Sequence, residues 1–92
     1  MAFNNTTLYE FNSLWYEIPV VYGILNNHQQ VIYIGQTDNL KRRMAEHQAN
    51  ALHLMHLYAP AYVVGEIIAD DKTRCERERQ LIREYNPPCN LC

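Results

Sequence analysis

The chain predicts an α+β domain, a small three-stranded, mainly antiparallel sheet flanked by helices. Three observations carry this. Two β-branched runs, residues 20–25 and 31–34, stand either side of the polar stretch 26–30, the pattern of an antiparallel hairpin. From Leu40 the apolar period changes to about 3.6 residues, the mark of a helix. A third β-rich run, residues 61–69, leads into helix-start chemistry at Asp70, Asp71 and Thr73 and a stop at Asn86-Pro87-Pro88.

Each element follows in order. Thr6 and Thr7 are expected to cap a short helix through Leu8, Phe11 and Leu14, with Trp15 and Tyr16 covering an edge. Pro19 leads the first strand, the one strand position that tolerates a missing N–H. His28 sits at the hairpin tip, in solvent. Gly35 ends the second strand, and residues 35–39 are dense in turn and N-cap chemistry. The helix then runs from Leu40 to about residue 50, with Leu40, Met44 and Ala51 as its apolar stripe. Arg43 and His47, four apart, lie together at the edge of that stripe, while Arg42 and Glu46 point away. Residues 51–58 continue as an apolar connection until Pro60 breaks it. His53 and His56 are three apart, but no nearby carboxylate or cysteine completes a metal site.

On the last helix, Cys75, Leu81, Ile82 and Tyr85 all fall within about 60° of Glu78, while Glu76 faces the other way. A carboxylate on a burying face needs a partner or a metal. The plain partner is Arg74, one turn earlier. Twelve residues beyond Glu78, and just past the Pro-Pro stop, Asn90 is positioned to return a neutral amide toward the same cleft. Tyr33 leaves its strand just before the turn that launches the Leu40 helix. A phenol, a guanidinium and an imidazole therefore converge on one cleft.

Composition bounds the rest. Ninety-two residues, 48% hydrophobic and 20% charged, make one globular domain, residues 1–92. A formal charge of −2 and a pI near 6.0 give no global attraction to nucleic acid, though all eight basic residues lie at or after Lys41. Three cysteines and an N-terminus with neither a basic stretch nor a long apolar run favour reduced thiols and a cytoplasmic setting, with no membrane span. Cys89 and Cys92 form a CxxC, and Cys75 offers a third sulfur, but no second pair completes a zinc site.

These residues resemble the GIY-YIG nuclease family across residues 19–90. Tyr33-Ile34-Gly35 matches the second signature of that family. Arg43 matches its catalytic arginine, His47 the following Tyr/His position, Glu78 the metal-binding glutamate and Asn90 the closing Pro-x-x-Asn. The first signature departs: Val20-Val21-Tyr22 keeps the tyrosine without the glycine. Gln36 stands where the excision-repair members carry lysine. The resemblance implies a metal-dependent endonuclease that hydrolyses DNA phosphodiesters, one strand per active site, with Glu78 holding a single Mg²⁺ or Mn²⁺. It implies Arg43 on the phosphate oxygens, Tyr33 handling the attacking water with help from Tyr22 and His47, and Asn90 in the catalytic set. Since a phenol is only about one part in a thousand ionised at pH 7, Tyr33 needs a neighbouring cation or base. The alternative is a nuclease-like module that binds nucleic acid or protein without cutting. Double-strand cutting calls for a second copy, for which residues 52–58 offer apolar contact, and a partner protein would supply specificity.

Overall fold

The computed structural model describes residues 3–4, 7–49 and 58–90. The chain forms β1 (Tyr9–Glu10), β2 (Val20–Leu25), β3 (Val31–Thr37), α1 (Leu40–Ala49), β4 (Tyr62–Ile67), α2 (Asp71–Tyr85) and a closing 3₁₀ turn, Pro88–Asn90. The sheet order is β1-β4-β2-β3, with every neighbouring pair antiparallel.

The α+β class holds, but the sheet has four strands where three were expected. No helix spans residues 7–14. Tyr9 and Glu10 instead pair with Val63 and Tyr62, and the Phe11 N–H donates to the Ala61 carbonyl at 2.9 Å. Helix propensity is worth only tenths of a kcal/mol per residue, and the free edge of β4 offers a backbone ladder that outweighs it. Phe11 is buried in the core as a result.

The second strand also continues past Gly35 to Thr37, because Gln36 and Thr37 find partners in Val21 and Val20. Helix α1 then begins at Leu40, where the sequence placed it. Its first free N–H groups are met by the chain that precedes β2. Leu40 donates to the Ile18 carbonyl at 2.9 Å, Lys41 to that of Tyr16 at 3.0 Å, and the Asn39 side chain accepts from the Arg42 N–H at 3.1 Å. Asp70 caps α2 by accepting from Thr73, and Asn86 closes it in the left-handed conformation.

Two cores flank the sheet. Val20, Tyr22, Ile24 and Val63 face α1 through Leu40 and Met44; Val21, Leu25, Ile34 and Val64 face α2 through Leu81. Ala51, the third member of the expected stripe, lies outside the described residues. His47 takes the buried position one turn beyond Met44, so it is not at a helix rim. Helix α2 is tied to β4 by a bidentate pair in which Arg77 Nε and a terminal nitrogen each donate to Glu66 at 2.9 Å.

The hairpin register decides what lies beneath Tyr22. Leu25 pairs with Val31, but a bulge between Ile24 and Leu25 shifts the ladder, so that Tyr22 faces Gly35. The tyrosine ring lies directly over that glycine. A Cβ there would come within 2.6 Å of the Tyr22 hydroxyl oxygen and 2.7 Å of the adjoining ring carbon. Tyr22 is fully buried, and its hydroxyl is held by His47. Gly35→Ala is therefore expected to destabilise the fold by about 1–3 kcal/mol, the cost of overpacking, as read by urea denaturation.

Candidate active site

Three rings meet on the α1 face of β2 and β3. The Tyr22 hydroxyl is 2.7 Å from His47 Nε2. The Tyr33 and His47 ring centroids stand 5.4 Å apart at 72°, and the Tyr22 and Tyr33 centroids 6.2 Å apart. The two tyrosine–histidine pairs are edge-on, which suits aromatic quadrupoles, and the two tyrosines are tilted at 43°. His47 is only 2% exposed, whereas Tyr33 is half-buried and reaches the surface.

Arg43, one turn before His47 on α1, completes the cluster. Partial burial works against its charge, but a hydrogen bond to Glu46 at 2.9 Å and interactions with the Tyr33 and Tyr22 hydroxyls outweigh it and hold the guanidinium protonated. Tyr22 moves the other way from a usable base. Burial is the main cause that raises its pKa well above the ordinary phenol value, with Tyr33 adding to it and Arg43 opposing it. Tyr22 thus keeps its proton. Arg43 only donates, so the Tyr22 oxygen can accept from it and leave the hydroxyl hydrogen for His47 Nε2.

An open cleft of about 570 Å³ runs along the edge strand β3, walled by the two helices. Gln36, Arg43, Glu46, Arg74 and Cys75 are among the residues that line it. Each of its arginines has an acid beside it: Arg42 with Asp38, Arg43 with Glu46, and Arg74 with Asp71. The expected Arg74–Glu78 pair does not form, because Arg74 turns instead toward Gln36 and the carbonyls of Ile68 and Ala69.

Glu78 follows Cys75 by one turn on the same side of α2. It is half-buried, its pKa is raised by burial against a small opposing effect of Arg79, and it has no ion-pair partner among the described residues. A partly dehydrated carboxylate without a counter-charge suits a hard cation that keeps most of its own water. No cluster of three or more His, Cys, Asp or Glu side chains with metal-site geometry occurs among the described residues. Cys89 is buried with a raised pKa caused by that burial, and both Cys75 and Cys89 are free thiols. His53, His56 and Cys92 lie outside the described residues.

Asn90 lies in the closing turn just past the Pro-Pro stop, and its amide reaches the backbone of β3. Its amide oxygen accepts from the Ile34 N–H at 2.8 Å and its amide nitrogen donates to the Ile34 carbonyl at 2.8 Å. Both bonds lock the closing turn onto β3 next to Tyr33, so the amide pins the strand. Three features escaped sequence reasoning: the Tyr22–Gly35 overlap, the Arg43–Glu46 pair and the Arg74–Gln36 bond. The second had a signal, since Glu46 follows Arg43 by three residues on one helix.

The site can be set beside known proteins. A family model described as the GIY-YIG catalytic domain matches residues 18–90. The chain is 29% identical over 77 residues to UvrABC system protein C of Tropheryma whipplei, in strains Twist and TW08/27. That match covers 79% of this chain and 13% of the relative, so the chain spans a small part of the curated relatives' length. Among solved structures, it resembles the GIY-YIG N-terminal endonuclease domain of UvrC from Thermotoga maritima bound to magnesium as its catalytic divalent cation. The identity there is 25% and the TM-score 0.69, covering 85% of this chain and 89% of that one. A point mutant of the same domain superposes equally well at 23% identity, with 86% of this chain covered. With the family model running from the residue before Pro19 through Asn90, over the tyrosine cluster, both helices and the closing turn, the chain belongs to the GIY-YIG catalytic domain family.

Proposed function

We propose that this chain is a divalent-metal-dependent endonuclease that hydrolyses DNA phosphodiester bonds, one strand per active site. The observation that carries the reading is the contact of two phenols, an imidazole and a protonated guanidinium, of which Arg43 lines a cleft that reaches Cys75 on α2, one turn before the carboxylate of Glu78, which has no ion-pair partner among the described residues. The magnesium ion in the Thermotoga maritima domain supports the metal. One Mg²⁺ or Mn²⁺ ion held by Glu78 and water would neutralise phosphate charge as a Lewis acid.

The chain's own side chains divide the remaining work. Arg43 donates to the non-bridging phosphate oxygens, where negative charge grows in the transition state. Its link to Glu46 is no obstacle. The two side chains are 36% and 52% exposed, and such surface pairs are worth about 0–1 kcal/mol, less than a charge-assisted bond to phosphate. Tyr33, which reaches the surface, orients the attacking water and, as the phenolate, takes its proton and returns to the neutral phenol. The Arg43 cation faces that phenolate before the transfer. Tyr22 holds its own proton and, through His47, fixes the ring edges against which Tyr33 rests. Asn90 positions β3. A cytoplasmic setting accords with this reading, and no described helix is long and apolar enough to cross a membrane.

The acid beside each cleft arginine favours a second reading, a binding module that cuts weakly or not at all. Cleavage of plasmid and branched DNA with Mg²⁺ or Mn²⁺ separates the two. Arg43→Ala should lower kcat about 10²–10³-fold, the usual loss for a transition-state donor, with the fold intact. DNA that is bound and never cut would select the module.

Glu78→Gln should abolish both cleavage and the thermal stabilisation that Mg²⁺ confers. The same substitution should raise the melting temperature of the metal-free protein at pH 7. The folded pKa is raised, so Glu78 favours the fold only while protonated, and that contribution is lost as pH rises through the raised value. The gain from Gln should therefore vanish in acid.

Tyr22→Phe should cost about 1–3 kcal/mol at pH 7 by leaving the buried His47 nitrogen without its partner. Above about pH 10 the native protein loses stability, because an unfolded phenol ionises there and the buried one does not. Urea titrations at pH 7 and pH 11 should show the variant losing less between the two.

A further inference from the structure

Gln36 is the penultimate residue of β3 and lines the cleft. Its side-chain oxygen accepts from Arg74 Nε at 2.8 Å. Arginine carries only donors, so the oxygen of this amide, not its nitrogen, must face the guanidinium. Arg74 is itself immobile. It is 4% exposed, and its other nitrogens donate to the Ile68 and Ala69 carbonyls at 3.2 and 3.3 Å and to the Asp71 carboxylate.

With the oxygen fixed inward, the direction of the amide nitrogen follows. No described residue accepts from Gln36 Nε2, and no buried side-chain nitrogen or oxygen among the described residues lacks a partner. The nitrogen therefore opens on the water of the cleft, with two N–H donors free. A lysine at this position would bring an ammonium against the Arg74 guanidinium, and like charges at that range repel. An amide avoids the clash and still offers donors.

We propose that Gln36 is a phosphate-binding residue of this cleft. Its Nε2 N–H groups hydrogen-bond a non-bridging oxygen of the substrate backbone, and Arg74 is the positioning residue that aims them. This rests on the nucleic-acid reading above for the identity of the phosphate, but the donor itself can be tested alone. In ¹⁵N-labelled protein without divalent metal, the Gln36 side-chain amide resonances should shift on titration with a short DNA duplex and with inorganic phosphate.

Duplex affinity should fall about tenfold in Gln36→Leu, the usual worth of a hydrogen bond to a charged group. It should fall further in Gln36→Glu, which keeps an acceptor for Arg74, and so should melt no lower than the native chain, but turns the donor end into a like charge. A merely structural Gln36 would leave affinity in Gln36→Glu unchanged. That result, unchanged affinity in Gln36→Leu, or amide resonances that move with neither duplex nor phosphate, overturns the proposal. Resonances that move with phosphate in a protein that does not bind DNA would uphold the donor and reject the nucleic-acid reading.

Discussion

A tyrosine at the centre of a sheet has two needs, room for its ring and a partner for its hydroxyl, and in this chain both are met across strand and helix boundaries. The Tyr22 ring lies over Gly35 of the neighbouring strand, and its hydroxyl meets His47 of α1 at 2.7 Å. An unpartnered buried hydroxyl would cost about 1–3 kcal/mol, so the contact fixes the roll of α1 about its axis. Once His47 points inward, Arg43, one turn earlier, must emerge beside Tyr33 at the cleft. The layout of the candidate site is thus a consequence of how one core hydroxyl is satisfied.

Charge is divided unevenly around that surface. Arg43 and Glu46 are exposed and weakly bound, which leaves the guanidinium available to an incoming anion. Arg74 is buried and saturated, and every one of its named partners belongs to the protein. Removing such a group would leave buried acceptors unpaired, so its function is architectural. Glu78 is the reverse case, an acid that burial disfavours and that no described cation neutralises by an ion pair. Under the proposed function, a bound cation would relieve the energetic penalty at Glu78.

The closing turn shows how little backbone is needed to finish the domain. Asn86 ends α2 in the left-handed conformation, Pro87 is buried, and Asn90 then binds both backbone groups of Ile34. An edge strand normally leaves such groups open to pairing with another chain. Here a side-chain amide occupies them beside Tyr33, which both blunts the edge and holds the phenol in place.

The residues of the candidate site could be singled out in the chain because their spacing is local. The Tyr33-Ile34-Gly35 triplet, the Arg43 and His47 helical pair, and Glu78 on a burying face are all read within one element, where the 2.0 and 3.6 periods apply. The α1 boundary was legible too, since its cap is encoded next to it. What the sequence could not determine is any relation between elements. Short β1 forms because β4 has a free edge, and the local signal there favoured a helix. A one-residue bulge decides whether Tyr22 faces Gly35 or Ile34, and only a glycine leaves space for the ring. Arg74 chose Gln36, 38 residues away in sequence, over Glu78 one turn along its own helix, because the Ile68 and Ala69 carbonyls and Gln36 could together satisfy a buried guanidinium. Tertiary structure made those choices, since each depends on which unsatisfied polar group is brought within reach when two faces of a sheet are buried at once.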